Sequence, residues 1–183
     1  MAKIYGLDYV GLSEELQKYR ENGKRIVMCS GTFDLFHIGH MRLLQAAKGK
    51  GDILVVVVKS DRAAALKKED PPVLDQNMRM EAISNCISAD YVIMAEYDLI
   101  RRVSFEFDNT SSFEWLNMFS PVVEVIRPDC FVHEDNPIIR EARKQLFSCY
   151  GVESIIQPRT EGISSTEIID RIKTRILQKL QNN

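Results

Sequence analysis

Residues 31–40 read GTFDLFHIGH, and within them His37 and His40 stand three positions apart around Gly39. On a helical turn that spacing puts both imidazoles on the same side. Gly31 and Thr32 follow an apolar run and Gly39 opens the next helical segment, so backbone N–H groups and a positive helix end converge on one point. Gly39 lacks a Cβ and lets a phosphate approach the backbone. Two imidazoles there can donate hydrogen bonds to phosphate oxygens and stabilise charge that develops in phosphoryl transfer. Taken alone, an H-x-x-H pair is more often two satisfied histidines on a surface turn. Zinc ligation is the other chemistry open to the pair, but no cysteine or carboxylate cluster completes a tetrahedral set.

A second stretch offers the same kind of chemistry. RTEGISST (159–166) supplies the Arg159 guanidinium, a permissive Gly162, the hydroxyls of Ser164, Ser165 and Thr166, and the start of a helix. Together these make an anion cradle. Ser164 with Glu167 three residues on also has the capping-box pattern, so the plainer reading is a capped helix with an incidental arginine.

The elements that must position these residues alternate regularly. KRIVMCS (24–30) reads as a buried strand, DILVVVVKS (52–60) as a strand in the middle of a parallel sheet, and YVIMA (91–95), DCFVH (129–133) and VESIIQ (152–157) as three more. Between them lie helical patterns: one with Met41, Leu43, Leu44 and Ala47 apolar, a short one in SDRAAALKK, one over DQNMRMEAISNCI, and one over PIIREARKQLFSCYG closed by Gly151. SFEWLNMFSPVVEVI is helical in pattern, with Pro121 expected to break or kink it. An N-terminal extension (1–23) has one helix, from Ser13 to about Arg20, behind an unremarkable first dozen residues. Residues 97–118 have no clean period and read as a variable excursion. The last helix carries Ile168, Ile172, Ile176 and Leu180 on one stripe, expected to pack on the domain or on a second subunit. This order predicts a single α/β domain, Rossmann-like and doubly wound, on a parallel five-stranded sheet. Ligands in such folds sit beyond the carboxyl ends of the strands, which points to residues 30–40, 59–68 and 157–166.

Composition narrows the functional classes. The chain has 183 residues, 45% hydrophobic and 27% charged, with a formal net charge of -2, so no global field recruits nucleic acid or an anionic membrane. Four dispersed cysteines and no secretory signal fit free thiols in a reducing cytoplasm, and no apolar run is long enough to span a bilayer.

GTFDLFHIGH followed about 120 residues later by RTEGISST resembles the cytidylyltransferase family of small nucleotidyltransferases, over about Lys24 to Ile172. That family includes glycerol-3-phosphate, phosphocholine and phosphoethanolamine cytidylyltransferases and relatives that adenylate heptose phosphates. The resemblance implies that the phosphate of a small phosphorylated alcohol attacks the α-phosphorus of CTP in line, with pyrophosphate leaving. Carried over, His37 and His40 hold the triphosphate and the transition state, Lys67 or Lys68 pairs with phosphate oxygens, and Arg159 joins them. Gly31, Thr32, Phe33, Asp34, Gly39, Arg79, Thr160, Gly162, Ile163, Ser164, Ser165 and Thr166 form the nucleotide site, with Asp34 bracing its loop. His133, Asp135 and Asn136, in HEDN where many bacterial members have Gly-Asp-Asp, and Trp115 from the excursion, are the implied acceptor site. Mg²⁺ bridging the nucleotide phosphates is the implied cofactor and a homodimer the implied assembly, with no nucleic-acid or membrane partner and no protein metal site.

RTEGIS favours CTP over the ATP of the heptose-phosphate adenylyltransferases, which are the alternative. A catalytically silent nucleotide-binding domain is a further one, opposed by the retained histidines, lysines and Arg159. The letters HIGH also occur in class I aminoacyl-tRNA synthetases, but this chain lacks a KMSKS-type loop, an anticodon-binding region and a basic surface for tRNA.

Overall fold

The computed structural model describes residues 1–65, 71–96 and 119–181. Six parallel strands form one sheet: β1 (Lys3–Gly6), β2 (Ile26–Gly31), β3 (Ile53–Lys59), β4 (Tyr91–Ala95), β5 (Cys130–His133) and β6 (Glu153–Ile156). Their order across the sheet is β1-β4-β3-β2-β5-β6. The helices are α1 (Tyr9–Glu21), α2 (Ile38–Lys48), α3 (Asp61–Ala65), α4 (Gln76–Ser84), α5 (119–126), α6 (Arg140–Tyr150) and α7 (Ser165–Gln181).

The doubly wound expectation follows from burial. In β3 the side chains alternate between two cores, Ile53, Val55 and Val57 on one face and Leu54, Val56 and Val58 on the other. A strand covered on both faces needs the continuous apolar run that its sequence shows. Leu12 and Leu16 of α1, Val122, Val123 and Ile126 of α5 and Ala142 and Leu146 of α6 fill the first core; Leu43 and Leu44 of α2 and Ile83 of α4 fill the second. β2 lies in the middle, paired in register with β3 (Cys29 opposite Val56) and with β5 (Cys29 opposite Val132). The chain runs outward from β2 through β3 to β4 and then returns to β2's other side. The crevice beyond β2 and β5 is therefore the switch point where α/β folds bind ligands.

Three expectations differ from the structure. The sheet has a sixth strand, because Lys3 and Ile4 pair with Tyr91 and Val92 at its edge. Helix α1 starts at Tyr9 rather than near Ser13, since Asp8 takes the capping role and accepts from Gly11 N–H at 3.0 Å. Helix α5 continues past Pro121 to residue 126, held by fully buried Val122, Val123 and Ile126. Residues 97–118, which include Trp115, and Lys67 and Lys68 lie outside the described residues.

Candidate active site

A cleft of about 320 Å³ opens at the switch point. The ends of β2 and β5, the N-termini of α2 and α7 and the approach to α7 line it, which brings residues 30–40 and 159–166 together. Both helix N-termini deliver positive potential and unpaired N–H groups to the same space.

The histidines adopt a geometry finer than their spacing suggests. His37 caps α2: its Nδ1 accepts from Gly39 N–H at 3.1 Å, so the neutral ring carries its proton on Nε2. His40 stacks on it, with ring centroids 3.8 Å apart and planes 20° apart, and is flanked by Phe33 edge-on and Phe36 face-on. Burial pushes His40 down to about 4, with the neighbouring His37 ring as the second cause. His37 is lowered too, first by burial and then by Arg159. Both imidazoles are neutral at physiological pH. His40 Nδ1 is buried with no hydrogen-bond partner among the described residues, a polar atom that a bound ligand or water can satisfy. Gly39 suits this packing, because a Cβ there would lie 3.0 Å from the His37 ring and push it by a few tenths of an ångström.

The loop before α2 is held in a high-energy shape. Phe33 and Leu35 both have positive φ, 57° and 46°, a region that side chains rarely adopt. Asp34 fastens them: its carboxylate accepts from Leu35 and Leu74 N–H through Oδ1 and from Val73 N–H through Oδ2, each at 3.0 Å. A carboxylate so committed is a brace. Ser165 Oγ donates to Asp34 O at 2.5 Å and ties the α7 end of the cleft to this loop, while Ser164 Oγ accepts from Glu167 N–H at 3.1 Å and caps α7.

Of the residues singled out from sequence, Gly31, Thr32, Phe33, Asp34, His37, Gly39, His40, Arg159, Thr160, Ile163, Ser164, Ser165, Thr166, His133, Asp135 and Asn136 all line the cleft. Gly162 stands beside it as a left-handed turn with φ of 72°. Arg79 does not line it. Its fully buried guanidinium donates to Leu74 O at 3.0 Å, Thr32 O at 2.5 Å and Asp61 Oδ1 at 2.6 Å, so it props the loop before α2 from behind. Asn136 caps the turn Pro137–Ile139 through Ile138 N–H, and Asp135 pairs with Arg140 at 2.5 Å. Arg159 is two-thirds exposed and lies 3.9 Å from Glu134. Arg143 and Glu134 line the cleft without having been anticipated. The signal for Arg143 was present: it stands one turn after Ile139 and one before Phe147, inside the buried stripe of α6.

Among the described residues, nothing covers the isoleucine stripe of α7 beyond the half-buried Ile168. Every residue from Arg171 to Gln181 is exposed, Ile172 and Ile176 about half so.

A parallel α/β sheet whose switch point carries a paired-histidine loop and a second anion cradle defines a nucleotidyltransferase of the Rossmann-like type. The chain belongs to the cytidylyltransferase-like family, whose model matches residues 28–171. Among curated proteins it is similar to the bifunctional protein HldE of Citrifermentans bemidjiense, 36% identical over 183 residues and 98% of this chain. The corresponding protein of Geobacter metallireducens is 31% identical over 172 residues and 93% of this chain. In both cases the chain spans 31% of the relative's length, about a third of it. Among solved structures, a lipopolysaccharide core biosynthesis protein of Thermoplasma volcanium superposes with TM-score 0.56 at 27% identity, covering 76% of this chain and all of that one. Pantoate-beta-alanine ligase of Francisella tularensis shares the fold, with TM-score 0.66 at 14% identity over all of this chain and 80% of the other. No helix among the described residues is long and apolar enough to cross a membrane.

Proposed function

We propose that the chain is an adenylyltransferase that joins ATP to a heptose phosphate, giving an ADP-linked sugar and pyrophosphate. This corrects the expectation of CTP and a phosphorylated alcohol. The relatives that align over nearly the whole chain are HldE proteins, on the heptose-phosphate adenylylating side of the family. The observation that carries the reading is the 36% identity to one of them over 98% of this chain, which includes both halves of the cleft.

The chemistry follows from the site. An oxygen of the acceptor phosphate forms a bond to the α-phosphorus of ATP, the bond from that phosphorus to the oxygen bridging to the β-phosphorus breaks, and pyrophosphate leaves. An ionised phosphate needs no base to attack, which accords with an Asp34 carboxylate already bound by three N–H groups. His37 Nε2–H and the His40 ring offer neutral donors to oxygens that gain charge in the transition state, with the α2 N-terminus behind them. Lys67 or Lys68 and Arg159 supply positive charge to the triphosphate. Mg²⁺ carried by the nucleotide phosphates would need few protein oxygens. Of the carboxylates that line the cleft, Asp34 is bound by three N–H groups and Asp135 is paired with Arg140 at 2.5 Å, which leaves Glu134 to supply one. Mg²⁺ there would neutralise phosphate charge.

The test is product identification. Protein incubated with ATP, Mg²⁺ and a heptose phosphate should yield an ADP-sugar by mass together with equimolar pyrophosphate. A CDP-linked product from CTP, with none from ATP, would refute the reading.

A further inference from the structure

Helix α7 starts at the cleft and carries, farther along, a surface that the reaction does not use. Its root is fixed: Ile168 is half-buried, and Arg171 Nη2 donates to Gly162 O at 2.8 Å in the turn before the helix. Beyond that root Ile172, Ile176, Leu177 and Leu180 each leave half or more of their surface exposed. Ile172, Ile176 and Leu180 recur every fourth residue and so share one face, a stripe about 12 Å long.

Charge identifies what fits that stripe. Arg175 and Lys179 border it on one side and Lys173 on the other, and none of these cations has an ion pair among the described residues. The acids of the helix, Glu167 and Asp170, stand in its first turns and turn to the opposite face, beside Thr174 and Gln178. From Arg171 to Gln181 there is no acidic residue. A second copy of α7 laid along the stripe would therefore set cation against cation, whether it ran parallel or antiparallel. An anionic lipid surface answers both features. Its acyl boundary takes the isoleucines and leucines, and its headgroups take the basic side chains, whose stems can lie along the stripe. The net charge of -2 on the whole chain does not oppose this, because such attraction acts over only about 8 Å in physiological salt.

We propose that α7 is an interfacial helix: residues 172–180 lie on an anionic bilayer, with Lys173, Arg175 and Lys179 among its headgroups, and the cleft at the helix N-terminus works beside that surface. This departs from the expectation of no membrane partner, which overall charge suggested, and it holds whichever nucleotide the cleft takes.

The experiment sediments the full chain with vesicles of phosphatidylcholine alone and with vesicles carrying about 30% phosphatidylglycerol, at about 0.1 M salt. Wild type should bind the anionic vesicles at least about tenfold more tightly than the neutral ones, and about 0.5 M salt should release most of it. Ile176→Gln combined with Leu180→Gln should weaken binding about tenfold through lost apolar area. Lys173→Gln combined with Arg175→Gln and Lys179→Gln should weaken it by at least as much through lost charge. Circular dichroism and thermal unfolding should be unchanged in both variants, since the replaced side chains are exposed. If the apolar variant does not fold, the basic one carries the comparison, and its undiminished binding overturns the proposal. Equal binding of wild type to the two kinds of vesicle, or to neither, also overturns it. So does full binding by the folded apolar variant, which would leave only diffuse charge attraction. A wild-type dimer by light scattering that I176Q/L180Q converts to monomer would place a second copy on the stripe and overturn it too.

Discussion

The imidazoles of His37 and His40 lie face to face, 3.8 Å between centroids, with the first ring fixed by Gly39 N–H and the second by two phenylalanines. Two rings so close cannot both be charged in a half-buried site, and both are lowered. In the proposed reaction they would act as a preorganised pair of neutral donors.

Replacing either ring should therefore remove stabilisation made mainly in the transition state. His40→Ala is expected to lower kcat about 10²–10³-fold, or about 3–4 kcal/mol, with the fold retained by circular dichroism. His37→Ala should match it and lose about 1 kcal/mol of stability besides, because the α2 cap goes with it. Near-normal kcat in His40→Ala would remove the pair from the mechanism.

The same burial sets a pH dependence. His40 and His133 each titrate near 4 in the folded chain and near 6.5 when unfolded. Between those values the unfolded state binds more protons, so stability falls as pH drops from about 6.5 towards 4. Thermal unfolding midpoints measured across that range should decline, and a His133→Gln variant should decline less.

Ser165 Oγ joins the two halves of the cleft through Asp34 O. Ser165→Ala should cost about 1 kcal/mol, seen as a severalfold higher KM for ATP with little change in kcat if the loop and α7 need the link to close on the triphosphate. A fall in kcat with KM unchanged would instead give the hydroxyl a role in the chemical step.

Asp34 holds three N–H groups around a loop with two positive φ angles. Asp34→Ala should destabilise the protein by about 2–3 kcal/mol, several degrees in Tm, measured by calorimetry. Unchanged Tm with lost activity would point to a direct chemical role for the carboxylate.

Much of this was readable from the sequence where one physical signal dominates. The β3 run announced a doubly covered strand, and residues 31–40 and 159–166 met at the cleft because the sheet's switch point brings strand ends together. The edge strand was not readable, since Lys3 and Ile4 are exposed and leave no burial pattern. Periodicity marked the apolar stripe of α7 but could not say whether anything meets it. Arg79 shows a second limit: residue type does not reveal whether a polar group faces a ligand or its own backbone. The nucleotide was misjudged for a related reason. Ser164 and Ser165 serve the helix cap and the Asp34 loop, tasks that are the same for ATP and CTP.

The most direct test of the account is the ratio of kcat/KM for ATP to that for CTP at saturating heptose phosphate, in wild type and in His40→Ala. The account predicts a ratio well above about tenfold in wild type, worth more than 1.4 kcal/mol of discrimination. In His40→Ala both values should fall together, because the pair acts on phosphates common to the two nucleotides. A ratio below one in wild type would contradict it.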